Sequence, residues 1–232
     1  MKYDFDRLID RHGSGCFKYD AMNMMYGRDD LLGLSVADMD FAIAPSIEDA
    51  IRKRSHHPIY GYNFMNESVK EAVSFWQAKR HSWIIGHESI EIVQGVMPAL
   101  ALAILAHTQK GDGILIQTPV YPPFFSVISE HERNILTNSL IEKQGTYSID
   151  FENFEYQAKK AKMFILCNPH NPVGRVFTID ELIKMGEICK KNNVIIFSDE
   201  IHADIVYNGY IHTPMASRSE EHTSELQSRQ VI

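Results

Sequence analysis

At 232 residues the chain has room for one to two domains of about 150 residues each, with a hydrophobic core that needs no disulfide or metal staple. Its 44% hydrophobic and 23% charged residues are ordinary for a globular protein. A net charge of −7 without any Lys/Arg-rich run excludes the basic stripe of a nucleic-acid binder. The most apolar stretch, PALALAILA at 98–106, falls far short of the ~20 residues of a membrane span. The N-terminal MKYDFDRLID lacks the apolar core of a signal peptide, so a cytoplasmic protein with no membrane partner is expected. Cys16, Cys167 and Cys189 are odd in number and lack C-x-x-C spacing, which predicts buried reduced thiols rather than disulfides or a zinc site. His56, His57, His81 and His87 show no metal-ligand spacing and are expected at the surface.

In chain order, residues 1–44 carry scattered Gly, Tyr and Met with one apolar run, LLGLSVADMDF, and predict an extended N-terminal arm. Asn66 can cap a helix in which Val69, Ala72, Val73 and Trp76 fall at i, i+3, i+4 and i+7, one apolar stripe facing a core. Glu91–Val93 reads as a short strand. After Gly95 comes a helix over Pro98–Ala106 that is apolar nearly all round and so predicted to be buried on most sides. Gly113–Gln117 predicts a strand, Phe124–Glu130 a helix, and Ile135–Ile141 a further strand. Asp150 can cap a helix over 151–160, Lys162–Cys167 is a buried strand, Thr178 and Glu181 form a capping box for a helix to about Lys191, and Val194–Ser198 is another buried strand. Strands alternating with helices imply an α/β fold with a mainly parallel sheet wrapped by helices.

The last fifteen residues, RSEEHTSELQSRQVI (218–232), are polar and carry no helical or strand period before the final Val-Ile. RSEEHTSELQS resembles the in-frame translation of a short-read sequencing adapter, so Arg218–Ile232 is read as an artefact tail. A disordered terminus is the alternative. The tail contributes two Arg and three Glu, which leaves 217 residues with a net charge of −6 that break off mid-fold.

In open α/β sheets ligands gather at the carboxyl ends of the strands. That rule selects Gly95, Val96 and Met97 after EIV, Thr118 and Tyr121 after GILIQ, Asn168, His170 and Asn171 after KMFILC, and Asp199, Glu200 and His202 after VIIFS. A carboxylate, an amide, an aromatic ring and the amides of a helix start can hold a cationic ring nitrogen, a phenolic oxygen, a flat ring and a phosphate, respectively. Each has a structural alternative: Asp199 capping a turn, Asn171 making an Asx-turn beside two prolines, Tyr121 packing in its loop.

CNPHNPVGR (167–175) and FSDEIHADIVY (197–207) resemble the signatures of fold-type-I pyridoxal-phosphate enzymes. IYGY (59–62), VADMDF (36–41), QGVMPAL (94–100) and TPVYPPF (118–124) narrow the resemblance to the PatB/MalY subgroup of cystathionine β-lyases, over essentially all of residues 1–217. The resemblance implies a pyridoxal-phosphate-binding large domain over 45–217, incomplete at its C-terminal side, preceded by the arm. It implies pyridoxal 5'-phosphate as cofactor, with Asp199 on the pyridine nitrogen, Asn171 and His202 at the phenolic oxygen, and Tyr121 stacked on the ring. The amides of Gly95, Val96 and Met97 would lie on the phosphate, and Tyr60 would reach the cofactor phosphate of a neighbouring subunit in a homodimer. VADMDF would line the substrate side. The implied activity is β-elimination from cystathionine or related cysteine S-conjugates, a small amino-acid substrate, to give pyruvate, ammonia and a thiol. The alternatives are an aminotransferase of classes I/II and, in another class, a noncatalytic α/β binding module. The Schiff-base lysine of such enzymes lies beyond the matched residues. Lys162, Lys184, Lys190 and Lys191 do not replace it, so no catalytic residue is assigned, no metal is expected, and the fragment itself is predicted to be inactive.

Overall fold

Four parallel strands organise most of the chain. The computed structural model describes residues 3–34 and 36–217, and the reading of 218–232 as an artefact tail lies outside them. The chain divides into two compact units, Met1–Asn63 and Phe64–Ile232.

The first unit holds short helices α1 (Phe17–Asp20) and α2 (Met22–Tyr26) and the longer α3 (Pro45–Ser55). Its VADMDF segment is fixed by charge. Arg11 donates to Asp40 at 2.6 Å and to Asp38, while the buried Lys18 donates to Asp40 at 2.8 Å and to the Asp38 carbonyl at 3.0 Å. Cys16 is half-exposed rather than buried, whereas Cys167 and Cys189 are buried free thiols.

The second unit runs α4 (Glu67–His81), a 3-10 turn at His87–Ser89, α5 (Val96–His107), β1 (Gly113–Thr118), α6 (Pro123–Glu130), β2 (Asn134–Ser139), the hairpin β3 (Ile141–Lys143) and β4 (Thr146–Ser148), α7 (Phe151–Ala158), β5 (Ala161–Cys167), α8 (Ile179–Lys191) and β6 (Ile195–Asp199). The main sheet has the order β2-β1-β5-β6 with every pair parallel. Side chains alternate across it. Ile114, Ile116, Met163, Ile165, Cys167 and Phe197 pack on one face with α5 and α6. Leu115, Phe164 and Leu166 pack on the other with α7 and α8. Gly113 opens β1 because a Cβ there would lie 2.7 Å from the Lys160 carbonyl oxygen.

The helix starts follow the sequence. Asn66 Oδ1 accepts from the Ser68 amide (3.1 Å), and Asp150 Oδ1 from the Asn153 amide (3.0 Å). Thr178 and Glu181 make the reciprocal capping box, at 3.3 and 2.9 Å. Thr178→Ala is expected to cost about 1 kcal/mol, read from the urea midpoint; an unchanged midpoint would mean that water caps α8 equally well.

Three further expectations are corrected. Glu91–Val93 is not a strand, since it has no pairing partner among the described residues. Helix α5 is buried on one side only, through Ala99, Leu100, Ala103 and Ile104, while Leu102 and Leu105 stay exposed. A helix with no polar face gives no periodic signal to say which side the sheet covers. His81 is not a surface residue: its side chain is 5% exposed, bonds Asp204 at 3.2 Å and stands edge-on to His212 at 5.3 Å.

Candidate functional site

The strand order creates a switch point. From β1 the chain passes through α6 to β2 on one side, then returns through α7 to place β5 on the other side of β1. Loops leaving β1 and β5 at their carboxyl ends therefore diverge and open a crevice, the usual ligand position in such sheets. The β1–β5 ladder ends at the pair Ile116↔Ile165, two residues short of each strand's end.

Asp199 closes β6 opposite Cys167 of β5. By alternation its side chain shares the sheet face of Phe197 and Cys167, the face covered by α5. It is 7% exposed, and its carboxylate accepts from the Ile201 amide at 3.1 Å. Burial pushes the carboxyl above its ordinary range. The Ile201 amide and nearby His202 pull it down, and Glu200 pushes it up. No Lys or Arg pairs with it among the described residues, so this buried acid faces the α5 side with a charge left to compensate. Glu200 points into a different network, accepting from Ser198 Oγ (2.7 Å) and the Met215 amide (2.8 Å) and pairing with His212 (3.1 Å).

The loop after β5 is tied to β6, because the Asn168 amide donates to the Asp199 carbonyl at 3.0 Å. Asn168 is fully buried, with Oδ1 accepting from the Phe177 amide at 3.0 Å. The half-buried Asn171 has its amide on Cys167 Sγ at 3.4 Å. The thiol, held neutral by burial up to about 12, thus anchors the backbone of Asn171. Sequence reasoning gave Cys167 no such part. A sulfur–amide contact depends on the path of the loop and leaves no periodic mark.

Gly95, Val96 and Met97 form the start of α5, where no side chain caps the helix. Gly95 holds φ +144°, a conformation that side chains rarely adopt. The first-turn amides of a helix lack intrahelical acceptors and lie at its positive pole, a fit for an anionic group. Tyr121, in the loop after β1, stands edge-on to Phe124 at 5.7 Å and is 36% exposed. His202 lies in the turn after β6. Tyr121, Asn171 and His202 thus follow β1, β5 and β6, Asp199 ends β6, and Gly95, Val96 and Met97 open α5. Tyr60 belongs to the first unit, where it is exposed, donates to the Ser55 carbonyl at 3.3 Å and lies under the Arg54 guanidinium at 4.6 Å.

The chemical types suit a flat, cationic, phosphorylated ring: a buried acid, an uncapped helix start, an aromatic ring and an amide. Segments 119–122, 168–178 and 200–217 contain no lysine, and Lys162 sits at the amino end of β5. Among the described residues no cluster of His, Cys, Asp or Glu could hold a metal ion, and no helix is long and apolar enough to cross a membrane.

Cystathionine beta-lyase PatB of Bacillus subtilis is 41% identical over 220 residues, covering 94% of this chain and 57% of that protein. Protein MalY of Escherichia coli is 32% identical, over 93% of this chain and 56% of MalY. Among solved structures, cystalysin from Treponema denticola, which contains pyridoxal 5'-phosphate, superposes with a TM-score of 0.90 at 40% identity, over 95% of this chain and 57% of its own. The chain therefore spans a little over half the length of these relatives, and what it shares with them is the large domain of the fold-type-I transferases. The sequence pattern of aminotransferase class I and II matches residues 29–227, and the chain belongs to that family.

Proposed function

We propose that this chain is the cofactor-holding part of a pyridoxal-phosphate-dependent carbon–sulfur β-lyase acting on cystathionine or related cysteine S-conjugates. The observation that carries the reading is Asp199, a buried carboxylate at a strand's carboxyl end with no Lys or Arg partner among the described residues, facing the side covered by α5. Bound there, pyridoxal phosphate supplies an electron sink for negative charge at the substrate's α-carbon. Asp199 keeps the proton on the ring nitrogen, and its own burial strengthens that pairing. The amides of Gly95, Val96 and Met97 take the phosphate. Asn171 donates to the phenolic oxygen beside His202, and Tyr121 covers the ring. In a homodimer Tyr60 serves the neighbouring subunit's phosphate. The kinship with PatB, a cystathionine beta-lyase, supports elimination over transamination.

Without a lysine at the carboxyl ends, this chain is expected to bind the cofactor noncovalently and to be inactive alone. Equilibrium dialysis against pyridoxal phosphate should show one site per chain, and borohydride should leave no stoichiometric adduct on a single lysine. A chain extended to the length of its relatives should release pyruvate from cystathionine in excess of enzyme without an amino acceptor. Keto acid limited to one equivalent would instead mark an aminotransferase, and absence of binding would leave a noncatalytic module.

A further inference from the structure

We propose that His170 is a positioning residue: its imidazole pins the loop after β5 to the end of β1 across the switch point, and so holds Asn171 and Tyr121 in fixed relation around the ring. The inference rests on the assignment of those two residues to the cofactor.

Three observations carry it. First, His170 Nε2 lies 3.2 Å from the Gln117 carbonyl oxygen. A carbonyl only accepts, so Nε2 bears the proton and Nδ1 is bare. Gln117 is the last residue but one of β1, beyond the final β1–β5 ladder pair at Ile116↔Ile165. The imidazole therefore extends the join between the two strands where their backbones part. Second, the ring has no freedom of its own. It is 2% exposed and stands edge-on to Phe177 at 5.8 Å. The His170 amide donates to the Arg175 carbonyl at 2.8 Å, and the Gly174 amide to the His170 carbonyl at 2.8 Å. Third, Nδ1 is buried with no partner among the described residues. Protonation there would place an unshared charge in the interior, close to Arg175, and burial accordingly drives the imidazole down to about 4. The ring stays neutral, in the one tautomer that can hold Gln117. The neighbours on either side of this link are the proposed ring contacts: Asn171 is the next residue, and Tyr121 follows Gln117 by one short turn.

Two substitutions separate this role from packing. His170→Phe keeps a ring against Phe177 and removes the donor; His170→Gln removes the ring and keeps an N–H able to reach the Gln117 carbonyl. Pyridoxal phosphate affinity, measured by equilibrium dialysis, is expected to fall by about tenfold or more in His170→Phe, the weight of one buried hydrogen bond, and to stay within about threefold of the wild type in His170→Gln. The reverse order would show that the ring only fills space and would overturn the proposal. Should His170→Phe fail to fold, the nitrogen-15 shifts of the wild-type ring decide. A protonated Nε2 with a pyridine-like Nδ1 supports the link, and the other tautomer removes it. Wild-type binding with an unaffected His170→Phe variant sinks this inference alone, whereas a wild-type chain that binds no cofactor sinks the site assignment together with it.

Discussion

Asp199→Asn is expected to lower the affinity for pyridoxal phosphate by about 100-fold or more, because removing one partner of a buried ion pair costs ~3 kcal/mol or above. Asn keeps the shape and can still accept from the Ile201 amide, which isolates the loss of charge. The same change should raise the stability of the cofactor-free chain at neutral pH. Burial lifts the folded-state carboxyl of Asp199 above its ordinary 3.8, so the folded state binds the proton more tightly than the unfolded chain does. Its contribution is thus most favourable below 3.8 and is lost as pH rises through the lifted value. Asn removes that dependence. Dialysis against the cofactor and urea titrations at acidic and neutral pH give both answers. An unchanged affinity would mean that the ring nitrogen is met by another group, and an unchanged pH profile would mean that the carboxyl is solvated in the free chain.

Phe164→Ala should cost about 3–5 kcal/mol, the range for emptying a fully buried aromatic site. Phe164 is completely buried at the centre of β5, between Leu115 and Ile196 in the ladder, and stands edge-on to Phe154 at 5.0 Å. It belongs to the face packed by α7 and α8, opposite the crevice. Its loss should therefore move the urea midpoint while leaving cofactor affinity of the folded fraction unchanged. A loss of less than about 1 kcal/mol would mean that α7 collapses onto the gap. A parallel fall in affinity would mean that the two faces of the sheet are not independent.

Much of this was legible before any coordinates. The cappers Asn66, Asp150 and Thr178 announce helix starts because their side chains replace a missing acceptor in the first turn, a local effect that short sequence windows contain. The strands β1, β5 and β6 show as apolar runs because both of their faces are covered. The candidates Tyr121, Asn171, Asp199 and His202 lie at or just after strand ends that the parallel pattern predicts, whereas Gly95, Val96 and Met97 follow no strand and Tyr60 lies in the first unit. What escaped is non-local. Glu91–Val93 has strand composition, but pairing needs a partner elsewhere in the chain. The exposed leucines of α5 look no different in sequence from its buried ones. The burial of His81 depends on Asp204 and His212, more than 100 residues away. Asn171 held by Cys167 sulfur, and His170 held by a backbone carbonyl of another strand, follow from how loops cross a switch point, which no spacing within CNPHNP encodes.

The alternation of side chains along β5 and β6 also fixes how this domain can change length over time. Asp199 and Cys167 share one sheet face while Ser198 and Leu166 share the other, so adding or deleting one residue inside β6 would turn the acid into the α7–α8 core and bring a serine to the crevice. Lengthening the exposed hairpin of β3 and β4 moves no such residue. Natural variation in length should therefore collect in that hairpin, and a library of single-residue insertions scored for cofactor binding should show tolerance there and sharp intolerance within the last two strands.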